Sequence, residues 1–131
     1  KDLGFREAVI ELINSYGIIP KPKFQLKIYK GIDPDKLLHE HKLMLFRILQ
    51  ELSSNTFKHA KAENVEIEIS FSEAGLEMHY KDDGIGFDSS YSKKGVGLKS
   101  IFSRLEFYNG KIQMNTNLGK GLEVMINLPY Q

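Results

Sequence analysis

The sequence predicts an α/β sandwich of two layers, a mixed and mostly antiparallel sheet with about three helices on one face. Three observations lead there. Stretches with apolar residues at steps of three and four, the mark of a helix with one buried side, are interspersed with stretches in which apolar and polar residues alternate as in half-buried strands. Most of the alternating stretches come as adjacent pairs, as hairpins do. Finally, 131 residues, 41% hydrophobic and 27% charged, are enough for one domain with a core.

The first helix begins near Phe5, carries Ala8, Val9, Leu12, Ile13 and Tyr16 on one stripe, and closes at Gly17. Ile18-Ile19-Pro20-Lys21-Pro22 is a connection, because each proline biases its predecessor toward extended geometry. Phe24, Leu26 and Ile28 then alternate with Gln25, Lys27 and Tyr29 as a strand. Asp33-Pro34 starts a long helix: the aspartate caps free amides, and proline at the first helical position loses no hydrogen bond. Its stripe is Leu37, Leu38, His41, Leu45, Ile48, Leu49 and Leu52, and the pattern runs to about Ala60.

Val65, Ile67, Ile69 and Phe71, then Leu76, Met78 and Tyr80 after Glu73-Ala74-Gly75, make a hairpin. A glycine-punctuated stretch from Gly84 to Gly97 leads into a third helix with Leu98, Ile101, Phe102 and Leu105 on one side, stopped near Gly110. Ile112 and Met114, then Leu122, Val124, Ile126 and Leu128, form a second hairpin around Leu118-Gly119-Lys120-Gly121.

Composition removes several function classes. The 18 basic and 17 acidic residues nearly cancel, so nothing draws the whole chain to nucleic acid or an anionic membrane. Without cysteine there is no thiolate catalysis, disulfide or cysteine-bound zinc, and His39, His41, His59 and His79 lack metalloprotease spacing. No apolar run approaches the ~20 residues of a membrane span, and the chain begins at a lysine rather than a methionine. The expectation is a cytoplasmic piece without direct membrane contact, cut from a longer parent that this leaves free to be membrane-bound.

The long helix displays Glu51, Asn55 and His59 at steps of four, on one face. Taken alone this also fits the solvated side of an ordinary helix. A carboxylate and a carboxamide on neighbouring turns can hold a hard cation through oxygen, directly or by way of water, which makes magnesium the natural candidate. Seven of the eleven glycines fall between Gly84 and Gly121, and Gly95-Val96-Gly97 precedes a helix whose free amides suit phosphate. Turn formation explains such clusters as well. A P-loop is excluded, since Gly119-Lys120 lacks both the upstream glycine and the following Ser or Thr, and Gly95-Val96-Gly97-Leu98-Lys99-Ser100 lacks the third glycine of a dinucleotide site. Asp82, where a strand gives way to Asp83-Gly84-Ile85-Gly86, can accept a hydrogen bond from a ligand amine.

In this order, the segments resemble the four boxes of the histidine-kinase-like (GHKL) ATPases, shared by sensor kinases, DNA gyrase and the Hsp90 chaperone. The N box is similar to Phe46–Ala60, and the glycine boxes to Asp82-Asp83-Gly84-Ile85-Gly86-Phe87, Gly95-Val96-Gly97-Leu98 and Gly119-Lys120-Gly121; together they span roughly residues 34–128. Asn55-Thr56-Phe57-Lys58-His59-Ala60 and Gly95–Arg104 resemble the sensor histidine kinases of the nitrate- and membrane-fluidity-sensing subfamily, and Leu3-Gly4-Phe5-Arg6-Glu7-Ala8 is similar to the segment leading into their ATPase domain.

The resemblance implies the Bergerat ATP-binding fold over residues 21–131, with 1–20 a helix and connection from a missing dimerisation domain. It implies ATP and Mg²⁺ as cofactors and a catalytic set of Glu51, Asn55 and Lys58. Asn55 would bind the metal, Glu51 would orient a metal-bound water or assist proton transfer, and Lys58 and His59 would approach the phosphates. Asp82 would contact the adenine amine, Gly84 and Gly86 would shape its pocket, Phe87 to Lys94 would form a short lid, and Gly95, Val96, Gly97 and Leu98 would face the phosphates. The phospho-accepting histidine is not in this chain, so the implied partners are the dimerisation and phosphotransfer helices of the same parent and a response-regulator receiver domain. The family often has Thr or Ser after the third glycine box, where this chain has Leu122. The alternatives are an anti-sigma-factor-type serine kinase and a nucleotide-sensing module without transferase activity.

Overall fold

The computed structural model describes residues 4–17, 22–29, 39–57, 61–72, 75–84, 96–116 and 121–129, the side chains of 96–101 and 116 excepted. Its described helices are α1 (Phe5–Tyr16), α2 (His39–Asn55) and α3 (Val96–Phe107); its strands are β1 (Lys23–Ile28), β2 (Asn64–Ser72), β3 (Gly75–Asp82), β4 (Lys111–Thr116) and β5 (Leu122–Leu128). The expected start of α2 at Asp33-Pro34, its continuation to Ala60, and the turns at 73–74 and 117–120 lie outside the described residues.

The strands form one five-stranded sheet in the order β1-β2-β3-β5-β4. β1 runs parallel to β2, and every other pairing is antiparallel. Parallel neighbours need a crossover, and α2 lies in the crossover between β1 and β2.

Alternation gives the sheet one apolar face. Val65, Ile67, Ile69 and Phe71 of β2, Leu76, Met78 and Tyr80 of β3, and Leu122, Val124, Ile126 and Leu128 of β5 are buried on it. Three helices cover that face: Phe5, Val9 and Ile13 of α1, Met44, Leu45, Ile48, Leu49 and Leu52 of α2, and Leu105 of α3 join the same core. Tyr16 stacks on Phe24 with ring centroids 4.9 Å apart, tying the end of α1 to β1. The other face is polar. There Glu66 lies opposite Lys81, Lys81 opposite Glu123, and His79 Nε2 meets Glu123 Oε2 at 2.7 Å.

The end of α3 differs from expectation in one detail. Asn109, with φ at 64°, is the left-handed residue, while Gly110 donates its N–H to Leu105 O at 2.9 Å and Asn109 donates to Glu106 O at 3.0 Å. Gly110 is needed for space, because a Cβ there would lie 2.7 Å from the Leu105 side chain. No described helix is long and apolar enough to cross a membrane.

Candidate active site

The site forms where the last turn of α2 meets the end of β3. Period-two alternation in β3 turns Leu76, Met78, Tyr80 and Asp82 to the same face, so the final inward position is filled by a carboxylate that is only 2% exposed. A buried charge needs hydrogen bonds to persist. Asp82 Oδ1 accepts the N–H of Gly84 at 2.9 Å, and Oδ2 accepts the hydroxyl of Thr56 at 2.8 Å.

Thr56 reaches Asp82 because it follows Leu52 by four positions and so continues the buried stripe of α2, which widens to π-helical geometry at Thr56 and Phe57. Thr56 Oγ1 is also 2.5 Å from the hydroxyl of Tyr80, which in turn donates to Leu52 O at 3.1 Å. Burial above all pushes the Tyr80 phenol well above its ordinary range, with the charge of Asp82 adding to it, so Tyr80 stays protonated and serves as a donor.

Glu51 and Asn55 each precede a member of that buried stripe by one position and are themselves half-buried, one turn apart. Asn55 is thus the chain neighbour of Thr56, with Glu51 one helical turn before it. Both offer hard oxygen donors, which suits a cation that brings further ligands of its own.

The two adjacent aspartates do different work. Asp83 leaves the sheet exposed, and its carboxylate accepts the N–H of Glu63 at 2.8 Å, the N–H of Asn64 at 2.9 Å and Asn64 Nδ2 at 3.0 Å. What burial it has opposes ionisation, but the bonds from Asn64 and Glu63 outweigh this and hold its pKa below the usual carboxylate value. Asp83 thus fastens the start of β2 while Asp82 turns to α2.

Of the residues singled out in the sequence, Asp82 and Gly84 are joined by a hydrogen bond, and Glu51 and Asn55 lie on the helix whose next residue, Thr56, bonds Asp82. Val96, Gly97 and Leu98 form the first turn of α3. Lys58, His59, Gly86 and Gly95 lie outside the described residues, as does the lid from Phe87 to Lys94. Sequence reasoning missed Thr56 and Tyr80. The available signal was a hydroxyl residue at the end of an apolar helical stripe, beside a strand whose own apolar side ends in aspartate.

Residues 40–131 match the family described as histidine kinase-, DNA gyrase B-, and HSP90-like ATPase. The chain belongs to that family. It is 30% identical over 130 residues to the sensor histidine kinase ComP of Bacillus subtilis (strain 168), a match covering 97% of this chain and 17% of ComP. It is 24% identical over 130 residues to the oxygen sensor histidine kinase NreB of Staphylococcus carnosus (strain TM300), covering 98% of this chain and 36% of NreB. The chain therefore spans well under half the length of these relatives.

Among solved structures, the blue-light activated histidine kinase of Erythrobacter litoralis EL346 superimposes with a TM-score of 0.71 at 15% identity, over 95% of this chain and 40% of that one. The histidine kinase AdeS of Acinetobacter baumannii gives 0.71 at 14% identity, over 98% of this chain and 66% of that one. At such identities the likeness shows the shared fold. With the family match, the two-layer α/β fold is that of a histidine-kinase ATPase catalytic domain, an ATP-binding unit homologous to sensor histidine kinases.

Proposed function

We propose that this domain binds ATP with Mg²⁺ and supplies the γ-phosphoryl group to a histidine on the dimerisation helices of its own parent, from which an aspartate of a response-regulator receiver domain takes it. The observation that supports this reading best is the hydrogen bond between Thr56 and Asp82: it joins the helix end that bears Glu51 and Asn55 to a buried carboxylate. An adenine amine would donate to Asp82. Gly84 and Gly86 would shape the base pocket, and Lys58, His59, Gly95, Val96, Gly97 and Leu98 would surround the phosphates.

Asn55 would hold magnesium through its carboxamide oxygen, with Glu51 orienting a bound water or assisting proton transfer. A single carboxamide ligand suits an ion ligated chiefly by phosphate and water. When bound, magnesium supplies charge neutralisation at the phosphates. The chain's own residues position the γ-phosphorus for attack by the histidine ring nitrogen; the nitrogen–phosphorus bond forms as the bond to the ADP oxygen breaks, and ADP leaves.

In this reading residues 1–20 lead in from the dimerisation helices and 21–131 are the ATPase domain proper, with α1 anchored to the shared core through Phe5, Val9 and Ile13. The domain would work in the cytoplasm, where ATP is available. Titration of the chain with ATP and Mg²⁺ tests the first half: saturable binding below millimolar concentration is expected, and none at millimolar overturns it. Labelled ATP with a supplied dimerisation-helix fragment tests the second half, where label on the fragment histidine is expected and its absence overturns transfer.

A further inference from the structure

We infer that Thr56, backed by Tyr80, is a positioning residue that makes Asp82 select a base carrying an exocyclic amine over one carrying an oxo group. This rests on the proposed contact between Asp82 and adenine.

The argument is a count of protons and lone pairs. An ionised carboxylate only accepts, and each of its oxygens has two lone pairs. Gly84 N–H occupies one on Oδ1 at 2.9 Å, and the Thr56 hydroxyl occupies one on Oδ2 at 2.8 Å. Thr56 has a single proton, committed to Asp82. The single Tyr80 proton is divided between Thr56 Oγ1 at 2.5 Å and Leu52 O at 3.1 Å. With the Thr56 proton on Asp82, Tyr80 acts as donor to Thr56 in this inference, so the proton direction runs from Tyr80 to Thr56 to Asp82 and ends on the carboxylate.

Two consequences follow for a ligand. Tethers on both oxygens, one from the strand end and one from the helix, fix the plane of the carboxylate. The bonds named leave acceptor positions on Asp82 and a second lone pair on Thr56 unused, both on buried residues. An amine donates into such a site, whereas an oxo group would set lone pair against lone pair and leave buried acceptors unpaired. The neighbouring strand cannot replace Thr56, because the residue paired with Asp82 on β5 is Leu122, buried and without a hydroxyl.

The test is a cycle of variants and nucleotides in the full chain, by calorimetric titration with Mg²⁺ present. Thr56→Val removes the hydroxyl at nearly constant shape and is expected to weaken ATP binding by about tenfold, the worth of one hydrogen bond to a charged group. Purine riboside triphosphate, which lacks the 6-amine, should bind this variant as it binds wild type, and the preference for ATP over GTP should narrow. Thr56→Ser should keep wild-type affinity and preference. Should Thr56→Val not fold, judged by its urea midpoint, Thr56→Ala carries the same cycle.

Equal losses for ATP and purine riboside triphosphate, or no loss for either, overturn the inference. Asp82→Asn separates the two levels. If it erases the distinction between ATP and purine riboside triphosphate while Thr56→Val leaves it intact, the base contact stands and the role of Thr56 falls. If wild type itself makes no such distinction, the base contact falls and takes the role of Thr56 with it.

Discussion

Gly121 lies so close to the main chain of Asp82 that a Cβ built on it would sit 2.2 Å from the Asp82 carbonyl oxygen, and its φ is +81°. The segment entering β5 thus passes over the backbone that carries the buried carboxylate, an approach open only to a residue without a side chain. Gly121→Ala must move either the start of β5 or Asp82. A loss of about 1–3 kcal/mol in stability is expected, together with weaker ATP binding. Gly110→Ala is the comparison, since its nearest obstacle is the Leu105 side chain and not Asp82; it should lose stability and keep ATP affinity. Urea unfolding and ATP titration of both variants check this.

Asp83 is expected to matter for the fold and not for the base. Asp83→Ala should cost about 1 kcal/mol, the low end for hydrogen bonds to a charged group because this carboxylate is exposed. Its folded pKa lies below the ordinary 3.8, so its contribution is complete above that value and is lost as pH falls through the lowered one. The stability difference between wild type and Asp83→Ala should be constant from neutral pH to mild acid and shrink only in stronger acid.

His41 gives a different pH signature. It is buried in α2, edge-on to Tyr108 with centroids 4.8 Å apart, and neither ring nitrogen has a hydrogen-bond partner among the described residues. Burial lowers its pKa from 6.5, against an opposing pull from Glu40. The fold holds the neutral ring, so between 6.5 and the lowered value the unfolded chain binds a proton that the native one does not. Stability contributed by His41 is whole above that window and declines on acidification through it. His41→Leu should flatten this part of the stability profile and raise the midpoint at neutral pH by an amount worth about 1 kcal/mol, as removal of an unpaired buried polar group allows.

Asn55 and Asp82 should separate by function. Asp82→Asn replaces half of the acceptor capacity with donors and is expected to weaken adenine nucleotides about tenfold or more. Asn55→Asp keeps the shape of the helix surface and is expected to impair magnesium-dependent transfer while leaving the melting temperature close to wild type. A collapsed fold in Asn55→Asp would contradict its placement on the half-buried rim of α2.

Much of this arrangement was legible along the chain. Alternation located each strand and put Asp82 at the end of one, and the steps of four that put Glu51 and Asn55 on one face of α2 are properties of local geometry; that Asp82 is buried came from the structure. Strand neighbours were less accessible. The placement of β5 between β3 and β4, and of β1 parallel to β2, depends on pairings between segments far apart in sequence. Thr56 and Tyr80 were hidden for a related reason: one was a helix residue between more conspicuous neighbours, the other an apolar position in a strand. The two hydroxyls acquire a common purpose only at 2.5 Å from each other.

The amino-acid order by itself determined which residues are helical or extended, which side of each element is apolar, and the ordered set of boxes that marks the family, because periodicity and turn chemistry act over a few residues. Tertiary structure alone decided the division of labour between Asp82 and Asp83, the need for glycine at 121, and the meeting of the Tyr80 and Thr56 hydroxyls beside Asp82. Each of those depends on the separation of groups that the chain brings together from distant positions, and a hydrogen bond or a clash is settled by tenths of an ångström.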